Sequence, residues 1–202
     1  MSEPLRIGVI LGSTRIGRFA DKPAEWLMAL ARQREGATFE LLDLRDYPMP
    51  FFDQPKSPLR EPSHDEVAQR WARKLGALDG FVFVTGEYNH SVPAVLKNAL
   101  DHVYAELNRK PATFVGYGNA GAARAIEQLR LMLVELQVAP LRGAVHLSRE
   151  QFVAILLDGK SFADFPPLAR AAEAMLAELI WWADALRAGR ERAFDVPLLP
   201  PR

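Results

Sequence analysis

Leu5-Arg6-Ile7-Gly8-Val9-Ile10-Leu11, followed at once by Gly12-Ser13-Thr14-Arg15-Ile16-Gly17-Arg18, is the stretch on which the fold turns. The first seven residues are short, rich in β-branched side chains and apolar apart from Arg6, the pattern of a strand covered on both faces. A polar loop follows, and residues from Pro23 to Arg34 then read as a helix. A strand–loop–helix junction of this kind gathers free backbone N–H groups and the positive end of a helix dipole, which suits a phosphate. Ser13 and Thr14 add hydroxyls, and Arg15 and Arg18 add fork-shaped cationic donors. Gly12 and Gly17 have the separation of a P-loop, but Arg18 and Phe19 stand where Lys and Ser/Thr are required. Without a hydroxyl for Mg²⁺ the nucleoside-triphosphate reading loses its chemistry. An ordinary polar turn is the bland alternative.

Working outward, apolar runs recur at Thr38–Leu44, Phe81–Thr85, Ala112–Gly116 and Ala144–Leu147, giving five strands. Between them lie helical patterns. Ser63 with Glu66 three residues later forms a capping-box signature, Pro93 introduces Ala94–Glu106, and Ala122–Leu136 follows. Leu168, Ala172, Met175, Leu176, Leu179, Ala183 and Leu186 then share one helical face. Strands alternating with helices predict a doubly wound α/β fold, five parallel strands with helices on both faces. The flavodoxin-like order 2-1-3-4-5 satisfies the chirality rules, and it places ligands beyond the carboxyl ends of the first and third strands. Residues 1–193 read as one domain and 194–202 as a Pro-rich tail. Tyr47–Pro62 contains five prolines and reads as an ordered surface loop.

Composition removes several functions. Lys+Arg and Asp+Glu are both 25, so the formal net charge is zero and there is no basic footprint for nucleic acid. There is no cysteine, hence no disulfide, no thiolate nucleophile and no cysteine-ligated metal. His64, His90, His102 and His146 are scattered without a metal-binding spacing, although carboxylates could still act as ligands. No apolar run reaches the roughly 18 residues of a membrane span. The expectation is a soluble, cytoplasmic protein.

After the third strand comes Gly86-Glu87-Tyr88-Asn89-His90-Ser91-Val92-Pro93, then Ala94-Val95-Leu96-Lys97-Asn98-Ala99-Leu100-Asp101. An aromatic and polar residues at a strand end, closed by a proline-started helix, can wall a flat ring. Together with Gly12-Ser13-Thr14-Arg15, this segment resembles the NADPH-dependent FMN reductase family, which includes quinone, azo-dye and chromate reductases. The likeness runs from about Leu5 to Leu147. It implies that Ser13, Arg15 and Arg18 hold an FMN phosphate, and that Glu87, Tyr88 and Asn89 border the isoalloxazine and ribityl groups. Thr14, Gly17 and His90 complete the expected cofactor contacts of these two loops. Two departures stand out. Gly86 replaces the family's usual proline, which predicts a looser loop. Phe19, Ala20 and Asp21 supply none of the phosphate donors common in relatives, which puts weight on Arg18.

Gly116-Tyr117-Gly118-Asn119-Ala120-Gly121 spells G-x-G-x-x-G after the fourth strand. A dinucleotide-binding reading also wants an acid about 20 residues on, and Leu141 and Arg142 provide none. The family resemblance instead implies that Gly116, Tyr117 and Gly118 belong to a third flavin loop, glycine-rich so that backbone approaches the ring. Where relatives often carry Ser, Gly116 removes a side-chain contact.

The resemblance implies an NAD(P)H-dependent FMN oxidoreductase. Hydride passes from nicotinamide to flavin and on to a small electron acceptor, and no general acid or base is named because the flavin carries the chemistry. A flavodoxin-type electron carrier and a flavin-binding sensor are the alternatives. Ile126, Leu129, Leu131, Met132, Leu133, Val134 and Leu136 make the helix after the fourth strand apolar all round, which predicts a second buried face against another subunit, and the family resemblance implies a homodimer or homotetramer. Trp181 and Trp182 are expected in core and interface packing, and His102 on a helix surface or interface.

Overall fold

The structure is a computed structural model and describes residues 3–192. Five strands, β1 (Leu5–Leu11), β2 (Ala37–Asp43), β3 (Gly80–Gly86), β4 (Pro111–Tyr117) and β5 (Ala139–His146), form one parallel sheet in the order β2-β1-β3-β4-β5. Parallel neighbours need crossover connections. These contain α1 (Asp21–Ala31), α2 (Glu66–Gly76), α3 (Ala94–Asp101) and α4 (Ala123–Glu135), with α5 (Arg149–Leu157) and α6 (Pro166–Arg190) after the last strand.

The central strands are apolar throughout because alternate side chains enter two different cores. Ile7, Val9, Val82, Val84 and Val115 join α1, α5 and α6 on one face. Ile10, Phe81, Phe83, Ala112 and Phe114 join α2, α3 and α4 on the other. Trp71 of α2 is fully buried there and donates its indole N–H to the Ala99 carbonyl at 3.0 Å. Truncating it to alanine removes about 3–5 kcal/mol.

Several sequence expectations are corrected. The helix α2 begins at Glu66 and is capped by Asp65, whose carboxylate accepts the Ala68 N–H at 2.8 Å. Ser63 is not the cap; it is buried, with its hydroxyl 3.1 Å from His102 Nδ1. His102 is likewise not a surface residue, being 2% exposed. Its Nε2 donates to the Pro50 carbonyl at 3.0 Å, so Nδ1 is the acceptor of the Ser63 hydroxyl. Asn98 completes this latch on the Pro-rich loop, donating to Pro50 O at 2.8 Å and accepting Phe52 N–H at 3.0 Å.

Helix α3 stops at Asp101 rather than Glu106, since Val103 and Leu107 reach the core from turns. β5 starts at Ala139, five residues earlier than expected, and tolerates Pro140 because it is an edge strand with irregular register at Ala112–Phe114. Helix α5 lies outside the helical patterns that the sequence predicts. On α4, Ala125, Ile126, Leu129 and Leu133 are buried, whereas Leu131 and Val134 are 73% and 59% exposed. Trp182 packs against the core and Trp181 stays exposed. The tail 194–202 lies outside the described residues. Among the described residues no helix is long and apolar enough to cross a membrane.

Candidate functional site

The loops after β1, β3 and β4 meet at the carboxyl end of the sheet around a cavity of about 360 Å³. Arg15, Gly17, Arg18 and Phe19 form one side, Gly86, Glu87 and Tyr88 a second, and Tyr117, Gly118 and Asn119 a third. Phe152 and Leu156 of α5 close it. Thr14 lines a neighbouring cavity of about 290 Å³ with Leu44, Tyr47, Met49 and Val95.

In the first loop, Ser13 is buried and its hydroxyl lies 2.9 Å from the Tyr88 phenol. Among the described residues the N–H groups of Thr14, Ile16 and Gly17 have no internal acceptor, and the exposed Arg15 guanidinium has no partner. Gly17 has φ +64°, a left-handed conformation that glycine adopts without strain and that turns the loop toward α1. This donor set fits a phosphate monoester.

Arg18 behaves differently. Its Nε donates to Asp21 at 2.9 Å, Nη1 to Ser13 O and Asp43 at 2.7 Å each, and Nη2 to Asp21 and Asp43 at 2.5 Å each. All five guanidinium donors are thus engaged within the chain. The hydrogen bond to Asp43 raises the Arg18 pKa, with burial opposing it. Burial works to raise Asp43, but Arg18 and the Arg45 N–H outweigh it and hold that carboxyl below its usual range. Arg18 therefore ties the first loop to the end of β2, and among the described residues Arg15 is the loop arginine whose guanidinium is left without a partner.

In the second loop, Gly86 is the buried last residue of β3 and pairs in register with Tyr117. A Cβ there would sit 2.9 Å from Tyr117 Cε2. The glycine makes room for this ring and does not loosen the loop. Glu87 lines the cavity but turns its carboxylate to α4, accepting the backbone N–H groups of Arg124 at 3.1 Å and Ala125 at 3.4 Å and pairing with the Arg124 guanidinium. It supplies the cap that Ala122, at φ +55°, lacks. Burial opposes ionisation of Glu87, yet the Arg124 contacts keep its carboxyl below the ordinary value. Asn89 and His90, at φ +49° and +73°, form a two-residue turn closed by reciprocal Tyr88–Ser91 backbone hydrogen bonds of 2.9 and 3.1 Å. Both are exposed on the rim and do not line the cavity.

In the third loop, a Cβ on Gly116 would meet the Gly121 carbonyl at 2.3 Å and Ile126 Cδ1 at 2.8 Å. This glycine serves the packing of its own chain, and a serine would have no room. Gly118, at φ +122°, faces open space. Tyr117 packs against Phe19 and Phe152, with ring centroids 5.1 and 6.2 Å apart. Among the described residues its buried hydroxyl has no hydrogen-bond partner. Burial, then the nearby Tyr88, pushes that phenol above its ordinary pKa and keeps it neutral. Phe152, Leu156, Arg124 and Asp43 escaped the sequence reading. The signal for α5 was present, since Ser148 and Gln151 form a capping box.

A parallel sheet in this order, with a phosphate-ready loop at its switch point and aromatic side chains beside it, defines a flavodoxin-like nucleotide-binding protein. The NADPH-dependent FMN reductase family model matches residues 5–151. An NAD(P)H-dependent FMN reductase of Schizosaccharomyces pombe is 36% identical over 157 residues, covering 76% of this chain and 78% of that protein. A quinone reductase of Escherichia coli K12 is 30% identical over 168 residues, covering 79% and 82%. The flavoenzyme FerB, an NAD(P)H:acceptor oxidoreductase from Paracoccus denitrificans, superposes with a TM-score of 0.68 at 21% identity, covering 90% of this chain and 98% of FerB. The chain belongs to the NADPH-dependent FMN reductase family. Membership makes it an oxidoreductase with FMN as cofactor and NAD(P)H as co-substrate.

Proposed function

We propose that the cavity holds FMN, with its phosphate on Ser13, the free N–H groups of Thr14, Ile16 and Gly17, and the Arg15 guanidinium, and with its ring system bordered by Tyr88, Tyr117 and Gly118. The observation that carries this reading is the donor-rich first loop, which contributes Arg15 and Gly17 to the wall of an aromatic-lined cavity of about 360 Å³. Arg18, with no donor left, braces the loop and takes no phosphate.

When bound, FMN would supply the two-electron chemistry between a nicotinamide and a small acceptor, a quinone, azo compound, oxyanion or free flavin. The chain's own residues would bind and orient it, and the shared cavity supports a ping-pong cycle in which nicotinamide and acceptor take turns beside it. The quinone reductase of E. coli supports a quinone as acceptor. Exposed Leu131 and Val134 on α4 support self-association as a homodimer or homotetramer.

The visible spectrum of the protein with FMN, before and after anaerobic NADPH and NADH, tests the reading. Bound flavin that bleaches within seconds supports it. Bound flavin that stays oxidised points to an electron carrier or a sensor, and an unperturbed free-flavin spectrum removes the cofactor site.

A further inference from the structure

The turn at Asn89–His90 is held from outside. Two consecutive non-glycine residues at φ +49° and +73° hold a left-handed conformation that side chains other than glycine adopt only with support. Its two closing backbone hydrogen bonds leave the His90 carbonyl and the Ser91 hydroxyl to be satisfied elsewhere. Gln128 of α4 takes both: its Nε2 donates to His90 O at 2.9 Å, and its Oε1 accepts from Ser91 Oγ at 2.6 Å. Gln128 lies one turn beyond Arg124, whose backbone and guanidinium are bound by Glu87. Tyr88 sits between the two ties and reaches Ser13 in the first loop.

We infer that Gln128 is a positioning residue for the cofactor site: by clamping the strained turn it fixes Tyr88, and through Tyr88 it fixes the Ser13 end of the phosphate loop. The inference rests on the FMN reading of that loop. Neither the side-chain pattern of α4 nor the loop motif assigns this role to position 128. Its chemistry is specific, because one group must donate to a carbonyl while its other atom accepts from a hydroxyl. An amide does this at every pH. A carboxyl does it only while protonated.

The test is FMN affinity, read by quenching of flavin fluorescence between pH 3.5 and 7, in the wild type, Gln128→Met and Gln128→Glu. Charged groups near position 128 are Arg124 on the same helix, Glu87 bound to it, and the His90 side chain, so each variant is divided by the wild-type profile. Gln128→Met keeps the volume, loses both hydrogen bonds and weakens FMN about tenfold at every pH. Gln128→Glu matches the wild type near pH 3.5, below the ordinary glutamate pKa of about 4.3, and loses affinity about tenfold by pH 6 as the new carboxyl ionises. Thermal melting of each apoprotein at each pH confirms folding. Wild-type and Gln128→Glu ratios that stay flat across pH, or Gln128→Met binding FMN as the wild type does, overturn the inference. A wild type that fails to bind FMN overturns the site reading instead.

Discussion

The phenol oxygen of Tyr88 and the hydroxyl oxygen of Ser13 are 2.9 Å apart, joining the loop after β3 to the loop after β1 across 75 residues of sequence. The backbone of the first loop adds a second contact to the same serine, Arg15 N–H to Ser13 Oγ at 3.4 Å. Removing the phenol hydroxyl leaves both loops in place but uncoupled. Tyr88→Phe is expected to cost about 1 kcal/mol of stability and to weaken FMN about fivefold. Denaturant unfolding and a flavin titration on the same preparation measure both.

The two arginines of the first loop part company. Arg15→Ala should leave the melting temperature within about a degree, since its guanidinium has no partner among the described residues, while FMN affinity falls at least tenfold. Arg18→Ala should show the reverse emphasis. It leaves Asp43 and Asp21 facing each other without their cation, and about 2–3 kcal/mol of stability is lost, below the fully buried limit because Asp21 is half exposed. Equal melting temperatures for the two variants would contradict this division.

Gly116→Ser should be among the most damaging single changes at the site. The new side chain begins 2.3 Å from the Gly121 carbonyl, which is backbone and cannot step aside. Overpacking of this kind costs about 1–3 kcal/mol. Gly86→Ala meets only the edge of the Tyr117 ring, at 2.9 Å, and should be milder. Urea midpoints of the two variants give the order.

Far from the site, Lys110 is buried between the end of α2 and the start of β4, donating to Leu75 O at 2.8 Å and Gly76 O at 3.0 Å. Burial first, then repulsion from Arg190, brings its pKa from 10.5 down to about 8. The folded chain therefore binds this proton less tightly than the unfolded chain does. Stability should rise as pH goes from about 8 to 10.5, in contrast to a surface lysine paired with an acid. Lys110→Met should abolish that rise. Isothermal denaturation at pH 7.5 and 9.5 provides the comparison.

The five strands and their order are legible from the residues because central parallel strands are apolar on both faces, as Ile7, Val9, Phe81 and Val84 are. Edge strand β5 is harder to read, since half-exposed positions and Pro140 interrupt its pattern. The loops that build the cavity are legible as well, through Gly12-Ser13-Thr14-Arg15 and the Glu87–Asp101 segment. What sequence does not disclose is partnership. Arg18 is indistinguishable from Arg15 until Asp43, 25 residues away, is seen to face it. Gly86 reads as a loosening until the Tyr117 ring fills its missing side chain. His102 reads as a surface histidine until Ser63 and Pro50 close on both ring nitrogens. Each is a contact between elements remote in the chain, and local pattern carries no trace of it.

The ties Arg18–Asp43, Ser13–Tyr88 and Glu87–Arg124 run sideways, each linking a loop to an element beyond its own strand. They form a continuous seam from β2 to α4 across the top of the sheet. A seam of this kind is not modular. Grafting any one loop onto a related scaffold would carry its sequence but sever its lateral stitches, so transplanting the binding mouth requires moving Asp43 and the first two turns of α4 along with the three loops.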